Sequence, residues 1–393
     1  MAALDIAVVG AGIGGLTAAL ALNDAGHRVT LVERRTGFSE VGAGLQLSPN
    51  ASRVLCDLGL AAALRRAASE PPGVVVRALD GGRWIGAVAL GRAAHERYGA
   101  PYYVIHRADL QTLLLDAVRG RPNIRLMVGR DVTAIAQTPE GVELTCAGDA
   151  RTDVVAADLA IGADGLRSRI REQLDPAPLR FGQMAAWRAV LPREGLPEAF
   201  GGEETGLWLG SGRHVVHYPI RGGRFLNVVA IVPERQSDAD WGRIGDPAVL
   251  RTHFRGCAAP LRELLALPDS WLVWSLAERA VARPLARGRV ALLGDAAHPV
   301  LPFLAQGAAL AIEDAAVLAR CLADRPVPEA LAAYAAARAA RVARVQRAAR
   351  GNGRTYHAGA LTAFARDLVM RRLGPDGMRE RYAWLYGWKP DPA

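Results

Sequence analysis

The stretch "LDIAVVGAGIGGLTAALALNDAGHRVTLVE", residues 4–33, governs how the rest of the chain is read. Residues 4–9 are a short apolar run that opens directly into Gly10, Gly12, Gly14 and Gly15. "LTAALALNDAG" follows at helical period and closes on Gly26, a residue type that ends helices because it takes up left-handed backbone without a Cβ clash. "HRVTLVE" then reads as a second apolar strand ending on an acid, Glu33. Strand, glycine turn, helix and strand in this order predict a dinucleotide-binding unit. The first glycine makes the turn, the second lets backbone approach a pyrophosphate, and the third lets the helix pack on the strand. The helix N-terminus faces the phosphates, and the acid takes the ribose hydroxyls. An acid at Glu33 disfavours a 2′-phosphate, which fits FAD or NAD and not NADP.

Composition sets the outer limits. With 393 residues, 51% of them hydrophobic, the chain is long enough for an enzyme-sized α/β protein. A net charge of +9 invites a nucleic-acid reading, but Lys389 is the only lysine and the arginines are scattered among acids, so no nucleic acid is expected. A positive field favours anionic cofactors and small anionic substrates equally well. No apolar run of membrane-spanning length appears and "MAALDIAVVG" has no signal-peptide pattern, so a cytoplasmic protein without membrane attachment is expected. Cys56, Cys146, Cys257 and Cys321 lie far apart, which argues against zinc and disulfides and for reduced, buried thiols. No HExxH or paired ligand spacing predicts a metal, and no Gly-x-Ser-x-Gly predicts a hydrolase.

Further along, "VIHRADLQTLLLDAV" reads as a strand end entering a helix, and "IRLMVGRDVTAIAQTPEGVELTCA" as a strand and hairpin turning at "PEG". "ADLAIGADGLRSRIRE", residues 157–172, is an apolar strand that breaks at Gly162, Asp164 and Gly165 and enters a helix with Arg167 and Ser168 in its first turn, a second corner able to take phosphate. From about 176 to 280 short alternating segments such as "RHVVHYPI" and "FLNVVAIV", separated by polar loops such as "PERQSDADWGRIGDP", predict a mainly antiparallel sheet. "VALLGDAAHPVLPFLAQGAALAIEDAAVLA", residues 290–319, is a buried strand ending at Asp295, then a proline-rich turn, then a helix starting near Gln306, Gly307 and Ala308. Residues 328–350 form a basic amphipathic packing helix with a solvated face. The predicted organisation is nucleotide binding over 1–175, a substrate sheet over 176–280, the nucleotide unit resumed over 281–330, and a helical segment over 331–393.

The glycine motif, "GADGLRS" at 162–168 and "GRVALLGDAAHPVLPFLAQGAALAIEDA" at 288–315, in this order, resemble the single-component FAD-dependent aromatic hydroxylases that include p-hydroxybenzoate and salicylate hydroxylases. The likeness spans about residues 4–355. "VGAGLQLSPNASRVL", "HRADLQ", "RHVVHYP" and "RVQRAARGNG" most resemble the salicylate, 3-hydroxybenzoate and 6-hydroxynicotinate hydroxylase branch. The resemblance implies an α/β fold: a Rossmann-like FAD-binding domain with an inserted, mainly antiparallel substrate sheet and a C-terminal helical segment.

It also implies site roles. Glu33 and Arg34 would sit at the adenosine end of FAD, Val132 would offer backbone near the adenine, and Arg107 would contact the cofactor. Asp164 belongs to a corner that the family uses for FAD and for a passing NADH or NADPH. Asp295 would accept hydrogen bonds from the ribityl chain, and the helix start at Gln306, Gly307 and Ala308 would face the flavin pyrimidine edge, where negative charge develops on reduction. The reaction implied is hydroxylation of a small aromatic substrate with NAD(P)H and O2 through a flavin C4a-hydroperoxide. A neutral base that removes the phenolic proton would assist it. In a strand "HVVHYP", His214, Val216 and Tyr218 share one face and His217 points to the other. His214 and Tyr218 match a pocket-lining pattern of this branch, with His214 as base; His217 would be the inward residue if the register were shifted by one. Gln46 and Pro302 complete the expected substrate contacts. His106 and His298 read as structural, and His27, His95, His253 and His357 show no constellation. The rival readings are a hydroxylase of larger polyketide or quinone rings and a flavin-binding module without turnover. A homodimer is a family-level expectation.

Overall fold

The computed structural model describes residues 2–38, 43–149, 151–234 and 242–390. Part of the polar loop after "FLNVVAIV", residues 235–241, and Val41 and Gly42 of "VGAGLQLSP" lie outside them.

The opening stretch folds as its sequence dictates. Strand Asp5–Val9 is followed by helix Ile13–Asp24 and strand Arg28–Glu33, with Gly26 in left-handed backbone at the helix end. Asp5–Val9 is central in a six-stranded sheet. It is flanked in parallel by Arg28–Glu33, then Ile124–Val128, on one side, and by Leu159–Gly162, then Val290–Leu292, on the other. Being covered on both faces, these strands are nearly continuous runs of Val, Ile, Leu and Ala. Ala286–Arg287 closes the edge in antiparallel fashion.

A three-stranded antiparallel sheet, Asp131–Gln137, Val142–Ala147 and Thr152–Ala157, is the predicted hairpin with one further strand. The large sheet has eight strands in the order Arg243–Gly245, Trp271–Glu278, Arg180–Pro192, Phe225–Pro233, Arg213–Ile220, Thr205–Gly210, Gly73–Ala78 and Trp84–Ala89. Its first six strands come from the 176–280 region. The last two come from within the segment read as nucleotide binding, because the valines of Gly73–Ala78 pair in parallel with Thr205–Gly210.

Helix Gly307–Asp324 lies against Ile13–Asp24. Small residues line the contact: a Cβ added to Gly14 would stand 3.0 Å from the Ala311 methyl and 2.8 Å from a Leu293 methyl. Helix Val327–Tyr356 covers Gly307–Asp324. It packs as expected, but its basic residues are not all solvated. Arg338 is 1% exposed and pairs with Glu313 and Asp314, while Arg341 pairs with Glu313. All four cysteines are free, and three of them are buried. Among the described residues no helix is long and apolar enough to cross a membrane, and no three metal-ligating side chains cluster.

Candidate active site

At the glycine turn, close packing leaves no room for side chains except at one position. Gly10 has φ +102°, and a Cβ there would stand 2.6 Å from the Ala163 carbonyl; one on Gly15 would stand 1.8 Å from the Gly10 carbonyl. A Cβ on Gly12 would meet nothing within 4 Å, because Gly12 faces open space. That space is a cavity lined by Gly10, Gly12, Glu33, Arg34, Val132 and Asp164, so six residues predicted to hold the cofactor come together. The Glu33 carboxylate is fixed by its own chain, accepting from the Ala11 N–H at 2.8 Å and the Arg35 N–H at 2.9 Å.

The "GADGLRS" corner differs from its sequence reading. Helix Arg169–Leu174 begins after Ser168, and Arg167 precedes it. Its first N–H groups are already taken: Asp164 Oδ2 accepts from Arg169 at 2.8 Å and Ile170 at 3.3 Å, and Ser168 Oγ accepts from Arg171. With its donors capped internally, this short helix offers no phosphate cradle. Asp164 still lines the cavity through its position, and burial raises its carboxyl above the ordinary value.

A second cavity continues from the first, sharing Gly12, Ala163 and Gly165 with it. Gly14, Gln46, Arg107, Asp295, Gly307 and Ala308 are among its lining residues. Asp295 can be reached from the cavity although protein surrounds it; burial raises its carboxyl, and Arg107 and His298 act in the opposite direction. A Cβ on Gly307 would lie 4.0 Å from Asp295 Oδ1, so the strand end and the helix start converge on one place. Gln306 departs from expectation. Its side chain is buried behind the turn, donating to Ser48 Oγ at 2.9 Å and accepting from Asn50, and does not line the cavity.

Behind that turn lies a polar network that sequence reasoning missed. Asp314 accepts from the Gly294 N–H at 2.8 Å, meets His298 Nε2 at 2.7 Å and pairs with Arg338 at 2.6 Å. Burial alone would raise its carboxyl, but His298 and Arg338 outweigh this and hold it at about 2. The charged Asp314 therefore anchors the residue immediately before Asp295.

The large sheet supplies a further wall. His214, Val216 and Tyr218 face the cavity, as alternation requires, together with Pro302 from the turn. His217 points the other way, its ring 4.9 Å from Phe200, which removes the shifted-register alternative. His357, read from sequence as isolated, is the partner of His214, with Nε2 2.8 Å from His214 Nδ1. Burial lowers His214 below its ordinary value and His357 adds to this; burial alone takes His357 down to about 4. Both rings are neutral near pH 7. Gln46 stands in strand Gly44–Leu47 and accepts from Tyr102 Oη at 2.6 Å. Arg188, stacked over the Trp274 ring at 4.3 Å, also lines this wall and was not singled out in the sequence. A lone charge within "MAAWRAVLP" was the available signal.

Residues 3–349 match the family described as FAD binding domain. The chain is 34% identical over 388 residues to the 3-hydroxybenzoate 6-hydroxylase of Polaromonas naphthalenivorans (strain CJ2), covering 98% of this chain and 96% of that protein. The chain belongs to the FAD-dependent aromatic hydroxylases. This hydroxylase is also 36% identical over 391 residues to the 3-amino-4-hydroxybenzoate 2-monooxygenase PtmB3 of Streptomyces platensis, with 98% and 96% covered. The crystal structure of Klebsiella pneumoniae HpxO complexed with FAD and uric acid matches it with a TM-score of 0.85 at 26% identity, covering 98% and 96% of the two chains.

The hydroxylase's own geometry fits FAD. Two cavities joined at the unobstructed Gly12 make one trench of the kind an elongated dinucleotide needs, with a fixed acid at one end and a helix N-terminus beside Asp295 at the other.

Proposed function

We propose that the hydroxylase inserts one atom of O2 into the ring of a small aromatic acid that carries a hydroxyl group, with NADH or NADPH as transient reductant. One observation carries this reading: His214 and Tyr218 face the same cavity as Asp295 and the start of helix Gly307–Asp324. FAD, when bound, supplies the redox chemistry and activates O2. Everything else falls to the chain. Glu33, Arg34 and Val132 hold the adenosine end, with Gly10, Gly12 and Gly14 along the pyrophosphate and Gly15 packing the helix against the turn. Arg107 and Asp295 hold the other end, and the N–H groups at Gly307 and Ala308 face the charge that develops on reduction. Val216, Val229 and Ile231 give the ring an apolar bed that keeps water away.

His214 removes the ring hydroxyl's proton and so makes the ring more electron-rich. His214 Nδ1 lies 2.8 Å from His357 Nε2, which leaves His214 Nε2 for the substrate; to act as a base there, His214 carries its proton on Nδ1 and donates it to His357 Nε2. When Nε2 takes a proton, the Nδ1 proton can pass to His357, one ring farther along. Gln46, Tyr218 and Pro302 position the ring.

The test follows NADH loss, O2 uptake and product together with salicylate, 3-hydroxybenzoate, 6-hydroxynicotinate and a bicyclic quinol. One small hydroxy acid should drive NADH loss matched mole for mole by hydroxylated product. His214→Asn should keep FAD and lower that hydroxylation by about 10²- to 10⁴-fold. Bound FAD whose NADH consumption responds to none of the small acids would overturn the reading.

A further inference from the structure

Arg188 is an unbalanced charge in the cavity wall. It stands on strand Arg180–Pro192, lines the cavity, and stacks over Trp274 at 4.3 Å. Among the described residues its guanidinium makes no ion pair or hydrogen bond, and its Nε is buried without an acceptor. The groups that act on it electrostatically are the Tyr218 phenol and a second guanidinium, Arg107; no carboxylate does. Burial pushes Arg188 down to about 10, so it stays charged at neutral pH. A buried guanidinium without a counter-ion is costly, and proteins supply an acid or accept one from outside.

Strand register says where that acid would come from. Val229 pairs with Arg188 on one side and with Val216 on the other, so these three form one row across the sheet on the cavity face. The next row on the same face runs from His214 through Ile231 and Ala186 to Trp274. Two strand spacings, roughly 10 Å, separate the Arg188 strand from the His214 strand. Val229 and Ile231 stand on the strand between them, and Val216 on the His214 strand completes the apolar bed. A flat ring on this bed has a proton acceptor at one edge and an unpaired planar cation at the other.

We propose that Arg188 is the anion subsite of the substrate pocket: it binds the ring carboxylate and selects aryl carboxylates over uncharged phenols, with the ring hydroxyl turned to His214. The proposal rests on the hydroxylase reading above and deepens it. Its fork of N–H donors suits a carboxylate in bidentate fashion, and the face of Trp274 keeps the guanidinium plane fixed.

The test is equilibrium binding to the FAD-loaded protein, read by perturbation of the flavin absorbance, with benzoate and its neutral counterpart benzamide as probes. Neither needs to be hydroxylated, so the result stands apart from whether any phenol is turned over. Wild type should bind benzoate about 10- to 100-fold more tightly than benzamide. Arg188→Met should erase the preference by weakening benzoate alone, and Arg188→Lys should restore part of it. Equal binding of the two probes by wild type, or binding of neither, overturns the subsite, as does a preference that survives in Arg188→Met. If Arg188→Met does not retain FAD, the wild-type ratio and the Arg188→Lys variant still decide. Failure of every phenol in the turnover assay would instead count against the hydroxylase reading.

Discussion

Gly12 and Gly15 stand three residues apart and do different work. A methyl group on Gly15 collides with the Gly10 carbonyl at 1.8 Å, whereas one on Gly12 meets no protein atom. Gly15→Ala should therefore destabilise the fold itself by about 3 kcal/mol, seen as a lower urea midpoint with or without FAD. Gly12→Ala should leave the midpoint of the FAD-free protein unchanged and weaken FAD by about tenfold in a flavin-fluorescence titration, because its methyl fills space kept for the cofactor. Equal effects of the two substitutions on apoprotein stability would contradict this division.

Helix Gly307–Asp324 is held by the charges it buries as well as by its apolar contacts. Glu313 and Asp314 are each fully buried and share Arg338, which comes from helix Val327–Tyr356. Arg338→Met removes one partner and leaves two buried carboxylates short of a cation. It should cost about 3–5 kcal/mol in urea unfolding and lower FAD retention, since Asp314 also ties down Gly294. This network shows where sequence reading reached and where it stopped. The glycine unit, Asp295 and the start at Gly307 are written in consecutive residues, so local pattern suffices. His214 was placed on the correct face because a strand alternates with period two. His357 is 143 residues away from His214, and Arg188 stands on a strand two places from that of His214 in the sheet order; only tertiary packing brings such residues to one cavity. The corner at 162–168 differs for another reason: a glycine-rich helix start looks alike in sequence whether its N–H groups await a phosphate or are capped by Asp164.

At the level of the whole molecule, buried neutral histidines set an acid limit. Burial, with Arg77 adding to it, takes His217 down to about 3, and burial takes His357 to about 4, against an ordinary value of 6.5. Between 6.5 and those values the unfolded chain binds protons that the native protein refuses, so stability is full above 6.5 and falls as pH drops toward 4. The urea midpoint should be level from pH 8 to 7 and decline below 6.5, and His217→Leu should shallow the decline; a midpoint that stays level down to pH 5 would contradict this. The eight-stranded sheet has a different kind of consequence. Its last two strands, Gly73–Ala78 and Trp84–Ala89, are separated in sequence from the next of its strands, Arg180–Pro192, by residues 90–179. Exchanging specificity between relatives by cutting at the ends of the 176–280 region would strip the transplanted wall of those two strands. A workable chimera must carry the 73–89 hairpin along with the graft, so pocket and hairpin are inherited together or not at all.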